Sequence, residues 1–310
     1  MAGTYPAFET ISAMGHTRLG PIPKTRPWNS VVAAFAGVAA GGAPGRTGSA
    51  EITEVGASRV APFDRERVAG VADKALQAAR GGLERAKEDP GLLYSVYLLT
   101  QVTLQSREAN WHQRLERLGL NLGPNASLLD LTAEFQGAVD DWLARRRHQS
   151  DVSEMAARAA TDALAALAAP KARTLFGDTG EELRLAVRPL STKAGFADLG
   201  NEFFGRFIAG FLNFYLSRVT ATHLGDGRLH QVGDITTFNR LLDTHCRESA
   251  RIVRDFAGQW YSKTEYEQGI TLENTGGFVA FALSKLQEEL RFQREVGTPP
   301  AGDQSLSGNA

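Results

Sequence analysis

The chain has 310 residues, enough for two compact units or one large one, and 43% of it is hydrophobic, enough to fill a real core. A net charge of −1 from 34 basic and 35 acidic residues excludes a dedicated nucleic-acid binder, whose phosphate contacts need a basic surface. The single cysteine, Cys246, excludes an internal disulfide and a cysteine zinc site.

Residues 1–62 hold six of the twelve prolines and many glycines. They predict an irregular arm with one short apolar helix over Trp28–Ala40, a flexible loop at Gly41–Gly48 and at most one short strand at Ala50–Val60. Such an arm either wraps its own body or docks on a partner. The first ten residues lack the basic start and apolar run of a secretory leader, which predicts a cytoplasmic protein. The longest apolar stretches, Val31–Ala40 and Phe203–Leu216, are too short to span a bilayer, and the second contains Arg206. Arginine outnumbers lysine 27 to 7, and Ala and Gly are abundant; GC-rich codons encode all three, which points to a GC-rich bacterial source.

From Asp64 the pattern turns helical and stays so. Asp64 caps a predicted helix to Glu88. Asp89-Pro90 starts the next, because an acidic cap precedes a proline at the first helical position; Leu92, Leu93, Val96, Leu99 and Val102 form its stripe. Ser106 opens a short helix to Leu118, which Gly119 ends. Ser127 caps a helix with Leu128, Leu131, Phe135, Val139 and Trp142 on one face, closing on the basic run Arg145–Arg147. Ser150 or Asp151 opens an alanine-rich helix to Ala169, stopped by Pro170. A connector with Leu175 and Phe176 then leads to a helical turn or two over Thr179–Val187.

Lys193–Leu224 is a long helix holding six of the sixteen phenylalanines. Phe196, Leu199, Phe203, Phe207, Phe211 and Phe214 recur at helical spacing. Arg218 continues that face, and a buried guanidinium needs a carboxylate such as Glu248 or Asp243. The apolar face is wider than a surface helix needs, so this helix is central in its own bundle or covered by another subunit. After the polar loop Gly225–Gly233, Asp234 caps a second long helix to Tyr261. Its stripe is Phe238, Leu241, Leu242, His245, Ser249, Ile252, Val253, Phe256 and Trp260. The loop Ser262–Ile270 and a last helix from Thr271, carrying Phe278, Ala282, Leu286 and Leu290, complete the body. Residues 297–310 read as a disordered tail.

This is an all-α multi-helix bundle: the arm 1–62, a helical unit 63–170, a second unit 171–296 built on a long helix hairpin, and the tail. No phosphate-binding G-x-x-x-x-G-K, no G-x-G-x-x-G, no H-E-x-x-H, no G-x-S-x-G and no EF-hand loop occurs. No cofactor is assigned. His223, His230, Asp226, Asp234, Asp243 and His245 would gather at one end of the hairpin, but no two histidines stand four apart on one helix, and no metal is assigned. Cys246, beside the apolar stripe, reads as a small core residue.

Three of the six histidines follow an arginine by five residues: Arg107/His112, Arg218/His223 and Arg240/His245. The spacing resembles the R-x4-H motif of the HEPN family of helical ribonucleases and toxins, over six residues at a time. The resemblance implies a dimer that brings Arg and His together on RNA, the histidine moving protons and the arginine stabilising charge on phosphorus. Where that family often has Asn, Asp or His after the arginine, this chain has Glu108, Val219 and Leu241. Arg218 and His223 are the strongest pair, on the apolar face and beside a glycine loop, with Asp243, His245 and Glu248 as supporting groups. Arg107 opens a solvated face, and Arg240 points away from the stripe that holds His245. His223 also sits where it would cap its helix.

The aromatic and charged stretch Trp260–Glu267 marks Trp260, Tyr261 and Tyr266 as candidate contact residues, although for Trp260 and Tyr261 finishing the core is the favoured reading. With no catalytic signature present, the expected function is a non-enzymatic interaction or assembly subunit with a protein partner or self-association. The alternative is the HEPN-like, metal-independent ribonuclease.

Overall fold

The computed structural model describes residues 18–37, 61–172 and 180–297. The expected loop 41–48, the strand 50–60, the connector around 175–176 and the tail after 297 lie outside these residues. The helices are α1 (Arg26–Ala36), α2 (Arg65–Ala78), α3 (Arg80–Ala86), α4 (Pro90–Gln105), α5 (Trp111–Glu116) and α6 (Leu128–Arg146). They continue with α7 (Asp151–Ala168), α8 (Gly180–Val187), α9 (Lys193–Thr222), α10 (Val232–Ser249), α11 (Arg251–Glu267) and α12 (Leu272–Gly297). Short 3-10 turns follow α7 and α8, and no strand occurs among the described residues. The fold is all-α.

Local chemistry sets most helix starts. Thr25 caps α1, and Asp64 accepts from the Arg67 amide to cap α2 (2.9 Å). Asp89 Oδ1 accepts from the amides of Gly91 and Leu92 at 2.9 and 3.0 Å. Its other oxygen accepts from the Ser150 hydroxyl at 2.6 Å, so the cap of α4 also holds the cap of α7. Ser127 and Asp130 form a capping box at α6.

The expected helix 64–88 breaks at Ala79 into α2 and α3. The expected helix 106–118 begins only at Trp111. The expected helix 234–261 is two helices parted at Ala250, next to Ser249, whose hydroxyl donates to the His245 carbonyl (2.9 Å). Asp234 lies inside the first turn of α10, accepting from the Gln231 amide (3.0 Å), rather than at the cap. The stretch 260–267 is helical, continuing α11 to Glu267.

Helix α9 is the axis of its own bundle. Phe196, Leu199, Phe203, Phe207 and Phe211 are buried, and so are Phe204, Ile208, Leu212, Tyr215 and Leu216 around its other side. Each such side chain contributes about 2 kcal/mol through apolar burial. Helices α7, α10 and α11 pack against it. α10 and α11 run back along α9: Tyr261 stacks on Phe196, Arg254 pairs with Asp198 (2.7 Å), and Gly205 meets Arg247. That approach needs glycine, since a Cβ at Gly205 would stand 2.9 Å from the Arg247 Cα. One hydrophobic cluster runs from Leu19 to Leu290, with α7 on α9 and α12 on α2 and α4, so the halves before and after residue 170 share a core.

The described part of the arm folds on this body. Trp28, Val31 and Phe35 bury one face of α1 against α2 and α9. The loop after α9 caps the other end of α1: the Arg228 amide donates to the Phe35 carbonyl (3.0 Å) and its Nε to that of Ala34 (2.9 Å). Among the described residues no helix is long and apolar enough to cross a membrane.

Candidate functional site

Helices α11 and α12 present aromatic faces to each other and leave a groove of about 860 Å³ between them. On α11, Phe256, Trp260 and Lys263 recur at i, i+4 and i+7; on α12, Asn274, Phe278 and Phe281 do the same. Trp260 stacks on Phe278 with centroids 4.1 Å apart, and Phe256 meets Phe281 edge-on at 4.8 Å. Tyr266 stands at the rim, 92% exposed, and Phe281 is 50% exposed. Lys193, from the start of α9, and Lys263 are the charged lining residues, and no carboxylate lines the groove. Asn274 is spent on the helix start: its Oδ1 accepts from the Thr271 amide and its Nδ2 donates to the Gly269 carbonyl, both at 2.9 Å.

Two of the three expected contact residues therefore reach the same surface, Trp260 on its wall and Tyr266 at its rim. Tyr261 does not. It is buried, stacked on Phe196 at 4.3 Å, and accepts from the Arg107 guanidinium at 3.2 Å. Burial pushes its hydroxyl up to about 12. Continuing α11 as a helix turns position 261 inward and 266 outward. Arg107 is exposed, as expected of a solvated face, and also ties the end of α4 to α11 through Glu265 and Tyr261, and to the Ser191 carbonyl.

The Arg–His pair takes a different form from that expected. Arg218 is exposed, with its guanidinium 5.3 Å from the Phe214 ring centroid. It pairs with neither expected carboxylate: Asp243 bridges to Arg247 (2.9 Å) and Glu248 to Arg65 (3.6 Å). The physical reason is the face: in the last turns of α9, Leu216, Val219 and Thr220 are buried, while Ser217 and Arg218 are on the side left to water. His223 is the C-cap of α9: its Nδ1 lies 3.0 Å from the Val219 carbonyl, and its ring packs near Phe35. Arg240 is exposed and His245 buried, as the stripe implies. Burial lowers the His245 pKa, partly offset by Glu248, and its Nε2 has no hydrogen-bond partner among the described residues. No hydrogen bond or ion pair joins any two of Arg218, His223, Asp243, His245 and Glu248 among the described residues. Cys246 is fully buried, and burial raises its thiol pKa.

Sequence reasoning missed a polar groove between α7, α9 and α10, of about 510 Å³. Arg206, Gly210, Asn213 and Ser217 line it from α9, Arg158 and Asp162 from α7, and Asn239 and Asp243 from α10. Arg206 pairs with Glu202, and burial lowers its pKa, with the Arg247 charge adding to that. The Oδ1 atoms of Asn213 and Asn239 are buried without a hydrogen-bond partner among the described residues. The legible signal was the i, i+4, i+7, i+11 spacing of the non-apolar residues on α9. Among the described residues no three His, Cys, Asp or Glu side chains gather as metal ligands. Comparison with protein-family models, curated proteins and solved structures gives no match.

Proposed function

We propose that this protein is a non-catalytic interaction or assembly subunit that engages a protein partner or another copy of itself through the groove between α11 and α12. The supporting observation is the exposure of Tyr266 and Phe281 above an aromatic wall, in a chain whose other long aromatic stripe is buried. Large aromatics left in water at a groove are the residue types that dominate interface energetics. The same proposal puts the protein in a bacterial cytoplasm, where a lone thiol such as Cys246 stays reduced.

The test is purification of the tagged full chain, with measurement of complex mass and identification of what co-purifies. The expected result is a stoichiometric protein partner or a homo-oligomer, lost in the double variant Tyr266→Ala/Phe281→Ala at unchanged melting temperature. A partner-free monomer, or a complex indifferent to that variant, would overturn the assignment. A dimer carrying RNA, with cleavage lost in His223→Ala, would replace it with the ribonuclease reading.

A further inference from the structure

We infer that the polar groove between α7, α9 and α10 is a small-molecule site for an uncharged ligand with a planar donor–acceptor edge, a nucleobase or a primary carboxamide. It shares no lining residue with the groove between α11 and α12.

Polar side chains from three helices meet there without binding one another. Arg158 pairs with Asp162 (3.9 Å) inside α7, Arg206 with Glu202 inside α9, and Arg247 with Asp243 (2.9 Å) inside α10. Among the described residues no hydrogen bond or ion pair of these side chains crosses from one of the three helices to another. The ionic lining is already matched, with Arg158 and Arg206 against Asp162 and Asp243. Both aspartates are also near enough to favour the Arg206 charge. A net charge of either sign on a ligand would unbalance this set, so a neutral ligand fits it.

The unmatched groups are amides. Asn213 on α9 and Asn239 on α10 line the groove, and among the described residues neither carboxamide forms a hydrogen bond. A buried polar atom without a partner destabilises the fold. Asparagine is also a poor residue for a helix interior, so neither position serves the helix that carries it. Each carboxamide has one acceptor and two donors, and a half-turn about χ2 exchanges which of them meets the groove. Such a group pairs twice with a partner that carries a donor beside an acceptor, as asparagine does with the edge of adenine. Nucleobases and primary carboxamides both offer that edge without charge. Met155, Ala209, Phe214 and Leu242 supply apolar lining for a flat ring. The volume of about 510 Å³ lies within the roughly 300–1,000 Å³ of small-molecule sites.

The experiment is isothermal titration calorimetry on the full chain, with the melting temperature measured alongside. Adenosine, guanosine and uridine probe the nucleobase source, nicotinamide and benzamide the carboxamide source, and adenosine monophosphate the effect of charge. The expected result is saturable binding of one or more uncharged probes, and the set that binds identifies the source. Asn213→Leu and Asn239→Leu should each weaken that binding about tenfold or more while holding or raising the melting temperature, since each removes an unpaired buried polar atom. Ala209→Leu, which fills the groove from its apolar wall, should weaken it by a similar factor. Binding that all three variants leave unchanged, or tighter binding of adenosine monophosphate than of adenosine, would overturn the inference. So would the absence of saturable binding by any probe. If that absence came with a lower melting temperature in both asparagine variants, the carboxamides would instead be held by ordered water as part of the fold.

Discussion

The aromatic stripe of α9 and the aromatic rails of α11 and α12 use the same residue types at the same helical spacing, yet one is sealed and the other open. Phe203, Phe207 and Phe211 are enclosed because α7, α10 and α11 cover α9 from several sides. Tyr266, at the end of α11, and Phe281, on the outer side of α12, keep 92% and 50% of their surface in water. The difference teaches that apolar periodicity reports only which face seeks cover. Whether cover arrives from the same chain depends on how many neighbours pack there and where each one ends.

The largest effect expected from breaking the sealed side is at Phe207. Phe207→Ala should cost about 3–5 kcal/mol in urea unfolding, through lost burial plus a cavity that the surrounding helices cannot close. A cost near 1 kcal/mol would mean the axis is looser than its packing implies. Asp89→Ala comes next. It removes the acceptor of two α4 amides and of the Ser150 hydroxyl, and should cost about 2–3 kcal/mol by the same measurement. Ser150→Ala should be less than additive with it, because both remove one shared bond.

A smaller effect follows from His245. Burial holds its folded pKa below 6.5, so between those values the unfolded chain binds more protons than the folded one. Stability should therefore be greatest above pH 6.5 and decline as pH falls through the interval down to the folded pKa. The wild-type loss over that window should exceed that of His245→Gln in parallel denaturant titrations, and equal slopes would show the imidazole to be solvated. The smallest effect on stability belongs to the open side. Tyr266→Ala should change unfolding by no more than about 0.5 kcal/mol while removing the groove contact in a pull-down. A large stability loss there would make Tyr266 a structural residue and erase the contrast with Phe207.

Helix starts were legible because a cap is a local object: Asp64, Asp89, Ser127 and Ser150 each bond amides two or three residues away. The break at Ala79 stands just before Gly81-Gly82, a local signal that the apolar stripe masked, whereas the break at Ala250 has neither proline nor glycine beside it. Trp260 and Tyr266 were legible as residues of one surface because the stretch is dense in aromatic and charged groups. Tyr261 took the core reading rather than the contact one, because α11 continues past it and one residue along a helix turns a side chain by about 100°. Arg218 was misplaced because the buried face in the last turns of α9 is that of Leu216, Val219 and Thr220, and Arg218 is on the side left to water.

The amino-acid sequence by itself determined the all-α class, the capped starts of the long helices and the wide apolar face of the phenylalanine-rich helix, since all three rest on interactions within a few residues or on composition. Only the tertiary structure decided that α1 folds on its own body, that Arg218 faces water, that Arg206, Asn213 and Asn239 share a groove, and that Tyr266 and Phe281 stay exposed. Those outcomes depend on where neighbouring helices end relative to one another, which is a property of long-range packing and not of any local pattern.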